Sequence, residues 1–252
     1  VKISVITVCR NDLKGLIGTY ESLKIQSHQT FEWIVIDGNS SDGTQAWLTE
    51  NHDLPGSWIS EPDKGIYDAM RKGWERSGGE YVIFMNSGDA FSDAGVLEKV
   101  AAHLESQLPN LLFGDAWDVT PEGGRFFRPA RPVSHLQHGM PAHHQAMFFR
   151  RESLRHFEFH RFRFSGDYAM ACLVAQGNGG GAAKVQFAIC DFLTGGAHDA
   201  HRLEAMKEDY FIRRNYLEMP VIAASMLYLL HFIHHLVKRA FPNAIRRLRE
   251  IR

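Results

Sequence analysis

Apolar and polar positions follow two rhythms along the first half of this chain. Short unbroken apolar runs recur at Ile3–Val8, Phe31–Ile36 and Tyr81–Met85, with a shorter one near Ser57–Ser60. Such runs fit strands buried on both faces. Between them lie segments of helical spacing: Leu13–Gln26 (Leu13, Leu16, Ile17, Tyr20, Leu23), Thr44 to about Asn51, Ile66–Arg76 and Ala94–Ser106. In the helix at Ile66, the spacing turns Ile66, Ala69 and Met70 toward a core. Strands alternating with helices of this length predict βαβ units, right-handed crossovers and a parallel sheet.

The second half has a different texture. Leu111–Gly114 reads as a strand, Phe126–Arg131 as a short hairpin strand after the turn Pro121–Gly124, and Lys184–Leu193 as a further strand. Tyr168–Gln176 reads as a helix and Asn178–Gly181 as a breaker. Residues 125–168 are dense in Arg, His and Phe, a mix more usual for a binding surface than a core. From Ala200 onward the pattern is helical, interrupted at Pro220 and Pro242. The expected organisation is a catalytic domain over residues 1–200, in halves 1–115 and 116–200, and a helical tail over 201–252.

Length and composition narrow the classes. A chain of 252 residues with 44% hydrophobic and 23% charged positions can bury one ordinary α/β core. A net charge of −1 argues against a general nucleic-acid binder. Cys9, Cys172 and Cys190 are too few and too scattered for a disulfide framework or zinc knuckle, and read as reduced core thiols. The opening VKISVITV is strand-like, without a signal-peptide layout, and with the reduced thiols the expectation is a cytoplasmic protein.

The candidate chemistry sits where apolar runs end. Asp37, Glu61–Asp68 and Asp89 follow three strands, and carboxyl ends of parallel strands are where open α/β sheets bind ligands. A rim of this charge suits a divalent cation with a phosphorylated ligand. In the loop Asp37–Thr44, Ser41 or Asp42 can cap the next helix, whereas Asp37 at the strand tip is placed to meet a nucleoside. Asp68 and Lys72 form a helical i,i+4 pair, but Asp63 and Lys64 precede the helix. A lysine there can meet a diphosphate beside helix N-terminal amides. The turn Asn86–Asp89 offers one hard oxygen ligand of the kind that holds Mg²⁺ or Mn²⁺ together with substrate phosphates, with Asn86 and Asp89 both candidates for contact with the bound cofactor.

Further along, His143 and His144 precede the apolar Ala146–Phe149. On a strand they point to opposite faces, so at most one faces a site. Asp167, in Phe164–Tyr168, is a helix cap or a reactive carboxylate. His198 lies in a late glycine-containing loop, as a metal ligand or an ordinary loop residue. In the tail, Leu229, Leu230, Ile233 and Val237 share one helical face, and His231, His234, His235 and Lys238 the other. Lys238, Arg239, Arg246, Arg247, Arg249 and Arg252 follow. The apolar stretch Val221–Ile233 is too short to span a bilayer; it suits an anionic leaflet, a second subunit, or the catalytic domain itself.

The succession DGNSSDGT, EPDKGIYDAM and FMNSGD resembles family 2 glycosyltransferases of the GT-A fold across roughly residues 3–200. The pattern is most similar to short bacterial enzymes of colanic-acid-type exopolysaccharide and capsule assembly. The resemblance implies an α/β fold with a Rossmann-like, mostly parallel sheet. It implies sugar transfer from a nucleotide-sugar to a hydroxyl of a glycan or lipid-linked acceptor, with Mn²⁺ or Mg²⁺ and inversion at the anomeric carbon. By that resemblance Asp37 lines the base, Asp89 binds the metal, Asp167 is the general base and His198 a further metal ligand. Two departures stand out: Gly38 follows Asp37 where relatives pair two aspartates, and Asn86 and Gly88 stand where many carry acids. A nucleotidyltransferase would need a glycine-rich basic loop after the first strand, and Cys9-Arg10-Asn11-Asp12 has no glycine. The thinned acidic motif also suits a non-catalytic glycan- or nucleotide-binding partner of a membrane assembly.

Overall fold

The computed structural model describes the chain except for residues 52–53, 55, 178–180, 196–200 and 241–252, and the side chains of 238–240. β1 (Ile3–Cys9) is buried throughout because it lies between two parallel neighbours, β2 (Phe31–Asp37) and β4 (Tyr81–Phe84). β3 (Gly56–Ser60) adds to the far side of β2, again parallel. α1 (Leu13–Lys24), α2 (Thr44–Glu50) and α3 (Ile66–Arg76) make the crossovers, and α4 (Val96–Gln107) follows the two-residue strand β5 (Ala90–Phe91).

The remainder departs from the parallel plan. β6 (Leu111–Val119) pairs with a hairpin strand β7 (Arg125–Arg128) and with β8 (Met147–Arg150), both antiparallel, and with β9 (Ala182–Leu193) in parallel. β8 also runs antiparallel to β4, which stitches the two halves into a nine-stranded mixed sheet of order β3-β2-β1-β4-β8-β6-β9-β5, with β7 beside β6 off this path. The expected sheet was mostly parallel; pairing is parallel among β1–β4 and between β6 and β9, and antiparallel at β4–β8, β6–β8, β6–β7 and β5–β9.

Alternation along the strands feeds two cores. Ile6, Val8, Ile34 and Ile36 face α3 and α5 (Gly166–Gln176). Ile3, Val5, Trp33 and Val35 face the layer of Leu16, Tyr20 and Leu23 from α1 and Leu97, Val100 and Leu104 from α4. α3 comes so close to β1 that a Cβ at Gly73 would collide with the Ile6 side chain. Ile66 is 41% exposed rather than in the core; α3 turns Tyr67, Ala69 and Met70 inward instead.

After β9 come α6 (Arg202–Asn215) and α7 (Val221–Ala240). α6 is bonded to the main body: the fully buried Arg213 donates to the carbonyls of Gln137 and His138 at 3.2 and 3.0 Å. α7 turns Ala224 and the half-buried His231 inward and leaves Ile222, Met226, Leu229, Leu230, Ile233, Leu236 and Val237 exposed. Among the described residues no helix is long and apolar enough to cross a membrane.

Candidate active site

The strand register places Cys9, Asp37 and Ser60 side by side at the carboxyl edge of β1, β2 and β3. Asp37 is fully buried, and its carboxylate accepts from the Ser40 amide at 3.0 Å and from the hydroxyls of Ser40 and Ser60. It therefore latches the loop after β2 onto the end of β3. Asp42 closes the other end of that loop, accepting from the Leu13 amide at 2.8 Å and from the Thr44 hydroxyl at 2.6 Å. These bonds hold its carboxyl below the usual carboxylate range, the Thr44 hydroxyl contributing most.

The segment before α3 is also tied down. Asp63 accepts from the Gly65 amide at 2.9 Å, and its other oxygen occupies the space a Cβ at Gly38 would need. Lys72, almost wholly buried, reaches back to the Pro62 carbonyl and to Glu61, each at 2.8 Å. Its distance to Asp68 is 3.8 Å, so the i,i+4 pair read from the sequence is secondary to these loop contacts. Asp68 pairs more closely with Arg71, at 3.0 Å, and accepts from the Lys64 amide at 3.1 Å. Lys64 itself is exposed.

β4 delivers the Asn86–Asp89 turn, made possible by Gly88 at φ 91°. Thr19 of α1 anchors it, donating to the Asp89 carbonyl at 2.7 Å while accepting from the Gly88 amide at 3.2 Å. The Asp89 side chain is 4% exposed; Gln145 donates to one carboxylate oxygen at 2.8 Å and the Leu193 amide to the other at 3.0 Å. Burial pushes its pKa up to about 6, against the pull of the Leu193 amide and of nearby His144 and His143. Each carboxylate oxygen keeps a second lone pair, and the buried Asn86 Oδ1 has no hydrogen-bond partner among the described residues. One carboxylate and one orphaned carbonyl oxygen fit a hard divalent cation that takes its other ligands from phosphate and water. Among the described residues no cluster of three or more His, Cys, Asp or Glu could hold a metal without such help.

The antiparallel pairing of β8 with β4 brings the residues just before β8 to this same edge. His143 and His144 are therefore not strand residues; a 3-10 turn over His144–Ala146 precedes β8. Both approach the site, contrary to the expectation from strand alternation. His143 bonds Asp118 at 2.7 Å and stacks on Phe192 with ring centroids 4.2 Å apart. His144 lies 3.3 Å from Asp167 through Nδ1 and 3.3 Å from the Asn86 amide nitrogen through Nε2. Asp167, at the start of α5, also accepts from the Tyr67 hydroxyl at 3.1 Å and from the Tyr168 amide at 2.9 Å. A Cβ at Gly166 would lie 2.8 Å from the Tyr67 ring, so glycine there permits the contact. Glu208 of α6 fixes the approach to α5 by accepting from the amides of Arg163, Phe164 and Ser165 at 2.8–2.9 Å.

Residues 4–171 match the family described as Glycosyl transferase family 2. The chain belongs to that family. Among similar proteins are an uncharacterized glycosyltransferase of Mycobacterium tuberculosis, 39% identical over 42% of this chain and 41% of its own length, and a PGL/p-HBAD biosynthesis glycosyltransferase of Mycobacterium bovis, 28% identical over 59% of each. The match thus spans about two fifths to three fifths of these relatives. Among solved structures, Staphylococcus aureus TarS in complex with UDP aligns with a TM-score of 0.67 at 17% identity, covering 96% of this chain and 74% of that one. The mannosyltransferase PcManGT from Pyrobaculum calidifontis, in complex with GDP-Man and Mn²⁺, aligns at 0.65 and 16% identity, covering 98% and 74%. At that identity the likeness shows the fold, which is GT-A-like.

In this family 2 glycosyltransferase, the sequence-derived candidates fall into two groups. Asn86, Asp89 and Asp167 converge through His144 and Gln145, while Asp37, Asp63 and Lys64 occupy the edge formed by β1–β3 and the start of α3. His198 lies outside the described residues. Three structural contributors were not singled out from the sequence, Tyr67, Gln145 and Glu208, and Lys72 was read only as a helical partner of Asp68. Tyr67, Met70 and Trp74 at i, i+3 and i+7 carried a signal for the inward face of α3. Gln145 and Glu208 carried none, because their partners are 56 and 43–45 residues away.

Proposed function

We propose that this chain is an inverting glycosyltransferase that moves a sugar from a nucleoside-diphosphate donor to a hydroxyl of a lipid-linked glycan in exopolysaccharide, capsule or O-antigen assembly. The observation that carries the reading is the junction at His144: one imidazole touches the acid at the start of α5 and the turn at the end of β4, segments some eighty residues apart. In this reading residues 1–115 bind the donor and 116–200 the acceptor. Asp37 acts through Ser40 and Ser60 to shape the nucleoside loop, and Asp63 and Lys64 face the nucleotide. Asp167 accepts the proton of the attacking hydroxyl, whose oxygen forms a bond to the anomeric carbon from the face opposite the leaving group. The bond from that carbon to the diphosphate oxygen breaks in the same step, the nucleoside diphosphate leaves, and the configuration inverts.

Asp89 and the Asn86 carbonyl would hold Mn²⁺ or Mg²⁺, with His198 a further proposed ligand; when bound, such an ion neutralises charge on the leaving diphosphate. Titration calorimetry with UDP, GDP and CDP, with and without Mn²⁺, tests the donor site. One nucleotide is expected to bind in a cation-dependent manner, and Asp89→Ala to abolish it. Binding of none would overturn the reading. Asp167→Asn should leave that binding intact and reduce transfer by at least about a hundredfold, general-base removal being of this size. Near-wild-type transfer would place the base elsewhere.

The exposed apolar stripe of α7, followed in sequence by Lys238, Arg239, Arg246, Arg247, Arg249 and Arg252, supports a seat on the anionic inner face of a cell membrane. There it would meet a lipid-linked acceptor.

A further inference from the structure

We propose that His144 is a positioning residue that joins the two sides of the reaction, holding the Asp167 carboxylate with one ring nitrogen and the Asn86 amide with the other. The inference rests on the reading of Asp167 as the base and adds how that base is aimed.

The hydrogen-bond roles follow from the partners. A carboxylate only accepts, so Nδ1, 3.3 Å from Asp167 Oδ2, is the ring nitrogen placed to carry a proton toward it. Nε2 is then an acceptor, and the Asn86 amide nitrogen, 3.3 Å away, donates to it. This commits the amide's orientation: the nitrogen faces the imidazole and Oδ1 is left buried with no partner among the described residues. Leaving a buried carbonyl oxygen unsatisfied is unfavourable, so the arrangement fits a site whose ligand completes it.

Asparagine at 86 and histidine at 144 also suit each other. A carboxylate at 86 could not donate to Nε2; the ring would have to carry both protons and stand as a cation between two acids. The amide keeps the ring in a single tautomer. Asp167 is held from three directions, by Tyr67 and the Tyr168 amide on Oδ1 and by His144 on Oδ2. With the side chains of His144 and Asp167 only 13% and 18% exposed, water competes poorly for these bonds. Removing the imidazole frees the carboxylate to swing away from the attacking hydroxyl, and misplacement on the scale of an ångström suffices to slow transfer.

Isosteric variants separate the two arms. The amide nitrogen of asparagine stands near the place of Nδ1 and can donate as it does, and the amide oxygen of glutamine stands near Nε2 and can accept in its place. His144→Asn is expected to keep the turnover number within about threefold of wild type and to weaken nucleotide binding several-fold. His144→Gln is expected to do the reverse, lowering turnover by roughly ten- to a hundredfold with little change in binding. The probes are UDP-GlcNAc and GDP-Man, read as nucleotide release for turnover and as UDP or GDP calorimetry for binding. A merely structural role predicts that both quantities fall together with the melting temperature in both variants, and that pattern would overturn the inference.

A readout free of turnover is the ring's tautomer in long-range ¹⁵N–¹H correlation spectra, with His144 assigned by its absence from His144→Gln. The Nδ1–H form is expected, reverting to Nε2–H in Asp167→Ala. An Nε2–H or doubly protonated ring in the wild type would refute the arrangement. Inactive Asp167→Asn beside unaltered His144→Ala would overturn the positioning role alone, whereas active Asp167→Asn would overturn the base assignment and the acceptor arm with it.

Discussion

Asp89 shows how a single side chain can be costly to the fold and useful to the site. Its carboxyl is raised from 3.8 to about 6, chiefly by burial, so between those values the folded chain keeps a proton the unfolded chain has released. The stabilisation from this group is complete below about pH 4 and is lost as pH rises through 6. At neutral pH the buried carboxylate costs on the order of 3 kcal/mol. Asp89→Asn is therefore expected to raise the melting temperature at about pH 7.5 and to flatten its decline between about pH 4 and 6, as calorimetry across that range would show. The same ionisation makes the wild-type site a better cation partner as pH rises. Nucleotide binding in Mn²⁺ is expected to strengthen through about pH 6 and level off above it, and a pH-independent affinity would separate Asp89 from the donor site. At this scale the sequence was informative about polar residues beside apolar runs: Asp37, Asn86, Asp89 and Asp167 each follow or precede one. It was silent about Gln145, whose importance comes only from the carboxylate it reaches.

The elements that aim these residues are held by long-range polar contacts. Glu208 of α6 gathers three backbone amides ahead of α5, and nothing else in the described structure accepts from them. Glu208→Ala is expected to destabilise the fold by roughly 1–3 kcal/mol and to lower turnover more than nucleotide binding, since it loosens the loop that carries Asp167. Chemical denaturation beside calorimetry checks both; unchanged turnover would detach α6 from the acceptor side. β1, β2 and β4 and the helices packed on them were legible because they bury apolar runs or stripes, whereas β3, GSWIS, buries no residue and was legible only as a short run. β8 was not. Its four residues sit in an Arg-, His- and Phe-rich stretch, and only its pairing with β4 and β6 makes them a strand. That pairing is also what turns both histidines toward the rim.

For the whole molecule, the open question posed by the sequence was which face of the last helix would be covered. α7 packs its His231 side against the body and leaves its leucine-rich stripe exposed. Burial and the charges of Arg213 and Arg202 push the His231 pKa down to about 4. The full chain is expected to co-sediment with vesicles containing phosphatidylglycerol, less so at high salt, and Leu229→Asp with Ile233→Asp to abolish this. Concentration-dependent dimerisation in sedimentation velocity without vesicle binding would assign the stripe to a second subunit instead. Local pattern by itself determined the βαβ half, the acidic strand ends and the helical character of the tail, because burial on a repeating backbone leaves a period in the sequence. Only the tertiary structure decided the antiparallel stitching by β8, the enclosure of Asp37, the meeting of Asn86, His144 and Asp167, and the outward face of α7. Those depend on contacts between distant segments, and a contact between distant segments imposes no period on either of them.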